Sequence, residues 1–349
     1  MEKGCEEVPT GHESGRSPRW NRRPEGSNWG DFGVDDEVGR LNLIKPAHVR
    51  AAVAEVVEGL TFCLSMPLDY PGGIGLNPRR PGPVLKPLDR NGRPFMNYPL
   101  SIEDGRHTDV LCDDQVTLSL QYSTQWDGLA HVGSSFDVRG EGNEELVYYN
   151  GFRAGVDVAA DGTGARRLGI ETMAATCVQG RGVMIDLDAH FGRDRRVVSY
   201  RDLRAVLDAN KIIVEEGDFV CLHTGYAQTL LDMKGAPNVD IMHRTGASLD
   251  GRDKDIQQWI TDSGAVALIC DNNAVELVPS LPCDDGKYAV LPLHEHCLFR
   301  LGMHFGEYWH LTPLATWLRE HLRFRFLLTA PPLRLPGAVG SPVTPVATV

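Results

Sequence analysis

The chain has 349 residues, 42% of them hydrophobic and 23% charged, which suits a soluble globular protein with a sizeable core. Lysine and arginine total 35 against 47 aspartates and glutamates, a net charge of -12. That balance argues against nucleic acid or an anionic membrane as the main partner.

The eight cysteines form no C-x-x-C pair, so a zinc ribbon or redox motif is not expected. Cys221 and Cys270 lie in apolar runs and read as small buried hydrophobes. The first residues lack the apolar run of a signal peptide, and no stretch approaches the length of a membrane span. A cytoplasmic, reduced protein is the expectation.

Residues 1–27 are rich in Gly, Glu, Arg, Ser and Pro and read as a disordered tail, leaving one domain over 28–349. Trp29–Asn42 is turn-rich. Pro46 is a good first helical residue, and Val49, Val53, Val56, Val57 and Leu60 predict an amphipathic helix over 46–58, ended by Gly59. Leu60–Leu68 reads as a strand. From Asp69 to about Asp114 the density of Pro and Gly predicts long surface loops, a common setting for binding surfaces.

Val116, Leu118 and Leu120 then alternate with Thr117, Ser119 and Gln121, the period of a half-buried strand. Continued to residue 127, that strand puts Gln121, Ser123, Gln125 and Asp127 on one face. Gly128 allows a turn that swings His131 back toward Asp127. Carboxylate, imidazole and amide oxygen are donors that a divalent metal accepts. The same pattern also describes a solvated edge strand. Trp126 reads as a packing residue.

Residues 182–187 read as a buried strand ending near Asp186. Ser199 and Asp202 form a capping pattern for a helix over 199–209. A strand over Asp218–Gly225 carries His223 near its end. A short helix at 255–263 and an apolar strand over Ala265–Cys270 follow. Leu293–Glu307 contains His294, Glu295, His296 and Glu307, and alone it reads as a solvated helix bearing several histidines. Thr312-Pro313 starts a helix over 311–322, and Phe324–Leu328 is a last strand. Helices interspersed with strands make the class α/β.

Gln121-x-x-x-Gln125-x-Asp127-x-x-x-His131 resembles the His-x-x-x-His-x-Asp-x-x-x-His signature of the cyclase family of metal-dependent hydrolases, which includes kynurenine formamidase and isatin hydrolase. Its glutamine form is similar to the trans-dienelactone hydrolase branch. Gln121 and Gln125 stand where the better-known members carry metal-binding histidines. Trp29–Asn42, Gly180–Asp186, Leu293–Glu307 and Pro331–Pro342 extend the resemblance from Trp29 to the last residue. Tyr70-Pro71-Gly72 is similar to the Trp-Pro-Gly turn that borders the substrate pocket in kynurenine formamidases, and it also reads as a plain turn.

The resemblance implies a swivelling β/β/α cyclase-like fold, a single domain and a homo-oligomer acting on a small-molecule substrate. It implies Asp127, His294 and Glu307 as metal ligands, with His296 a neighbouring rival of His294. Gln125 and Gln121 add neutral oxygens, His131 is the acid/base residue, and Tyr70 borders the substrate. Mixed oxygen and nitrogen ligation suits Zn2+ or Mn2+. One tight metal is expected on Asp127, His294 and Glu307, because amides replace the imidazoles of the other position. The reverse arrangement, one metal on the two glutamines and Asp127, stays open.

A bound metal lowers the pKa of its water from ~15.7 toward ~7 in a favourable zinc site, making a nucleophile for a carbonyl. The implied activity is hydrolysis of a lactone, or of an amide or imide. A cyclase or dehydratase, and a non-catalytic binding protein on the same fold, are the alternatives.

Overall fold

The apolar runs of the second half of the chain assemble side by side into one sheet. In this computed structural model, residues 19–283 and 286–349 are described. Nine strands form the sheet: Thr61–Cys63 (β1), Gln125–Asp127 (β2), Gln179–Asp186 (β3), Phe219–His223 (β4), Ala267–Cys270 (β5), His304–Glu307 (β6), Arg325–Thr329 (β7), Gly340–Pro342 (β8) and Val346–Thr348 (β9). Their order is β1-β9-β7-β3-β4-β5-β6-β2-β8. The central β3, β4, β5 and β6 run parallel, and antiparallel strands flank them on both sides. Strands β4, β5 and β6 are buried along their whole length, which explains the near-continuous apolar sequence of β4 and β5.

Helices cover both faces. Pro46–Val53 is α1, Tyr200–Asn210 is α2, Lys254–Asp262 is α3 and Thr312–Glu320 is α4. Leu203 and Val206 of α2, with Ile256 and Ile260 of α3, pack in one core with Val220, Leu268 and Phe305. Leu314 and Leu318 of α4 pack in the other with Met184, Cys221, Ile269 and Phe326. The expected capping box is present, Ser199 Oγ accepting from the Asp202 amide while the Asp202 carboxylate accepts from the Ser199 amide. Such a cap stabilises a helix by about 1 kcal/mol. The α/β class and most elements of the second half follow the sequence expectation closely. No helix among the described residues is long and apolar enough to cross a membrane.

The first half departs from expectation in four places. Helix α1 stops at Val53 rather than 58, and β1 is three residues rather than nine. The strand expected over 116–127 is two strands. Asp114–Thr117 pairs with Val84–Pro87 in an exposed ribbon, and β2 starts only at Gln125. Side-chain anchors turn the chain between them. Tyr122 Oη donates to the Gly73 carbonyl, and Thr124 Oγ1 donates to the Tyr308 carbonyl while accepting from the Met66 amide.

The tail is the fourth. Residues 1–18 lie outside the described residues, but residues 19–27 are anchored through the buried Trp20, Pro24 and Ser27. Trp20 is buried edge-on to Trp29, with ring centroids 5.4 Å apart, and the Asn21 amide donates to Val138. The polar composition around Trp20 hides this one anchor.

The C-terminal segment, where Pro331–Pro342 carries the resemblance, supplies β8 and β9. Gly340, Ser341 and Pro342 of β8 pair with Asp127, Trp126 and Gln125.

Gly306 has a specific reason for being glycine. A Cβ there would lie 2.8 Å from Trp309 Nε1, which donates to the Gln125 carbonyl at 3.1 Å. Gly306→Ala is expected to destabilise the fold by about 1–3 kcal/mol, the usual cost of overpacking, measured by urea unfolding.

Candidate metal centre

The antiparallel register of β2 against β6 sets the site. Gln125 lies opposite Glu307, Trp126 opposite Gly306, and Asp127 opposite Phe305. Directly opposed residues share a face and successive residues change face. Gln125, Asp127, Glu307 and Phe305 therefore point to one side. Trp126 points to the other, edge-on to Trp309, its Nε1 donating to the Ala330 carbonyl at 2.8 Å. It is the packing residue that its sequence setting implied.

His294 reaches this face from a short helix, Pro292–His294, that continues into a π-helical turn over Glu295–Arg300. Such turns recur at functional sites. The Phe305 ring packs edge-on against the imidazole, with centroids 4.8 Å apart. Glu276 orients His294: its carboxylate accepts from the backbone amides of Leu293 and His294 and lies 2.7 Å from Nδ1. With Nδ1 so engaged, Nε2 faces Glu307 Oε1 at 3.4 Å. This is the carboxylate–histidine arrangement that presents a ring nitrogen to a cation.

Asp127, His294 and Glu307 are all buried, and one ligand atom from each lies within 4.8 Å of the others. Burial, then the Asp127 charge, raise the Glu307 pKa. Burial opposes protonation of His294, but hydrogen bonds to Glu276 and Glu307 outweigh it and push the imidazole up to about 10. A cation binding here would displace that proton.

Asp127 Oδ2 and Gln125 Oε1 are buried without a hydrogen-bond partner. Gln125 Nε2 donates to Asp127 Oδ1 at 3.1 Å and to Glu307 Oε2 at 3.2 Å. A flip of that amide exchanges its nitrogen and oxygen, turning Oε1 to the cluster. Two carboxylates, one imidazole and orphaned buried oxygens fit a divalent cation.

The turn at Gly128 closes through the His131 amide and the Gly128 carbonyl, 2.9 Å apart. It brings His131 Nε2 to 3.8 Å from Asp127 Oδ1, with 20% of the His131 side chain exposed and none of Asp127's. Burial lowers the His131 pKa below 6.5; Asp127 opposes the shift, and His294 and Arg80 add to it. The imidazole is therefore neutral at pH 7 and able to accept a proton.

Gln121 is not in the strand with Gln125 and Asp127. It arrives by the turn instead, its Nε2 sitting 2.5 Å from where a Cβ on Gly340 would be. Gly340 is the register partner of Asp127, so the Gln121 amide still lies on the cluster's side of the sheet. His294 faces the cluster, whereas His296 Nε2 pairs with Thr261 Oγ1 at 2.9 Å. The segment expected alone to be a solvated helix is buried over most of its length. Tyr70 packs beside Met66, Tyr226, Leu230 and Tyr308, one residue before the loop that lines a narrow pocket with Gln121. Asp186 and His223 form a separate network, paired at 2.8 Å, with His223 Nε2 3.0 Å from Thr312 Oγ1.

Two residues escape the sequence reading. Glu276 is a single acid in the apolar run Ala274–Val278, the one local signal of a buried carboxylate with a partner. Arg80 gives no such signal within its loop.

The family model described as "Putative cyclase" matches residues 61–277. No curated protein sequence matches the chain. Among solved structures, a cyclase described as novel is 28% identical, covering 93% of this chain and 100% of its own, with a TM-score of 0.74. Isatin hydrolase A from Labrenzia aggregata is 13% identical, covering 82% of this chain and 93% of its own, with a TM-score of 0.53. Isatin hydrolase A from Ralstonia solanacearum is 14% identical, covering 86% and 95%, also at 0.53. The latter two share the fold.

Asp127→Asn is expected to weaken metal binding more than Gln125→Ala does. The first removes an anionic ligand with little change of shape, and the second removes a neutral donor that water can replace. Outer ligand changes typically cost ~10–100-fold, and the Asp127 loss should exceed that. Titration of Zn2+ or Mn2+ into both purified variants measures the difference.

Proposed function

Since the chain belongs to the cyclase family, we propose that it is a metal-dependent hydrolase that opens a small cyclic ester or cleaves an amide or imide. The reading includes the family's swivelling β/β/α architecture, a homo-oligomer and a cytoplasmic setting. The observation that carries it is the buried Asp127, His294 and Glu307 cluster with the neutral His131 beside it. The glutamines at 121 and 125 favour a lactone of the dienelactone type over a kynurenine-type formamide. They also favour one tight cation, Zn2+ or Mn2+, on Asp127, His294 and Glu307.

A divalent cation supplies Lewis acidity and lowers the pKa of water. The chain's own residues do the rest. Asp127 and Glu307 offset the cation's charge, and Glu276 fixes which nitrogen His294 presents. Gln125 Nε2 bridges the two carboxylates of the cluster, and the turned amide would offer Oε1 to a cation instead. His131 takes a proton from the attacking water and returns one to the leaving group, a role suited to a neutral imidazole 3.8 Å from Asp127.

Three outcomes are expected. Chelation abolishes turnover, and the products together outweigh the substrate by one water; a loss of one water would make the enzyme a dehydratase. His131→Ala keeps its metal but loses about 10²–10⁴-fold in turnover; loss of metal instead would make His131 a ligand. Because burial lowers the His131 pKa, its base form survives to lower pH than in free histidine. The acidic limb of kcat/KM against pH should therefore lie below 6.5.

A further inference from the structure

Arg80 belongs to the Pro- and Gly-rich loop that follows the Tyr70-Pro71 turn. One of its nitrogens, Nη1, donates to the Gln121 carbonyl at 2.8 Å. The side chain lines a narrow, partly open pocket with Pro71, Gln121, Tyr122 and Tyr308. Tyr308 directly follows Glu307, and Gln121 rests over the register partner of Asp127, so this pocket adjoins the cluster.

Among the described residues Arg80 makes no ion pair. Its charge nevertheless reaches His131, Glu307 and Tyr308. A part-buried guanidinium within reach of the Glu307 charge would ordinarily close on a carboxylate. The hydrogen bond to Gln121 holds this one back, leaving most of its five N–H donors without a protein acceptor. A guanidinium fork matches a carboxylate in two parallel bonds.

We propose that Arg80 is a specificity-determining residue that binds a carboxylate of the ligand beside the cluster. The origin of that carboxylate rests on the hydrolase reading, and two sources share the chemistry. The substrate can carry it, or ring opening can create it.

Calorimetric titration tests the assignment on wild type, Arg80→Met and Arg80→Lys, each with excess MnCl2. The probes are γ-butyrolactone, its γ-carboxylate derivative and γ-hydroxybutyrate. At least one of the two anions should bind wild type about tenfold or more tighter than Arg80→Met, the order expected for a lost charge-assisted hydrogen bond. Arg80→Lys should be intermediate, and the neutral lactone should not discriminate among the three proteins. Preference for the carboxylated lactone assigns the anion to the substrate, and preference for γ-hydroxybutyrate assigns it to the product.

Anion affinities equal in wild type and Arg80→Met, or no anion binding to wild type, would overturn the proposal. If Arg80→Met does not fold, Arg80→Lys decides, with affinity equal to wild type the overturning result. Turnover of the same lactones by wild type is read separately. Anion preference without turnover leaves Arg80 assigned and ends the hydrolase reading.

Discussion

The pairing of Gln125–Asp127 with Phe305–Glu307 is the constraint on which the rest depends. Each strand contributes only three or four residues, yet their register decides which side chains meet. A slip by one residue would turn Asp127 into the Trp126 pocket and leave the cluster with one carboxylate. Trp126, Trp309 and Gly306 fill the opposite face so closely that such a slip has nowhere to go. Hydrophobic packing on one side of the sheet thus fixes polar geometry on the other. Tyr308 and Asn272, joined backbone to backbone, extend the same logic to the ends of β5 and β6, where open parallel sheets commonly bind ligands.

The cluster is electrostatically incomplete by itself. Asp127, Glu307 and Glu276 are buried around one imidazole, and burying like charges is costly unless a cation offsets them. The raised pKa values of Glu307 and His294 are the response of the protein alone: a proton partly substitutes for the missing positive charge. A divalent ion answers the same demand with two charges. The orphaned oxygens of Asp127 and Gln125 give that ion somewhere to bind.

Much of this was legible in the sequence where local rules and tertiary packing agree. The parallel strands β4 and β5 are buried on both faces and so read as apolar runs, and α2 announces itself through Ser199 and Asp202, whereas β6, with His304 and Glu307 at its ends, reads as part of a helix. Asp127 and His131 were legible because two residues four positions apart across a Gly turn meet by local geometry alone. The long strand through Gln121 was not, because its alternation stops being structural at Thr117. Tyr122 and Thr124 are anchored by residues 49 to 184 positions away, which no local pattern encodes. Glu276 and Arg80 are invisible for the same reason: their partners arrive from other segments. Trp20 was missed because one aromatic does not lift the composition of a polar tail.

The central claim is that Asp127, His294 and Glu307 hold a divalent cation. Diffraction from crystals grown with Mn2+ or Zn2+, recorded at the metal's absorption edge, tests it most directly. The account predicts one strong anomalous peak in contact with all three side chains, with Gln125 turned so that Oε1 faces it. A peak bound by Gln121, Gln125 and Asp127 without His294 and Glu307, or no peak at the cluster, would contradict it.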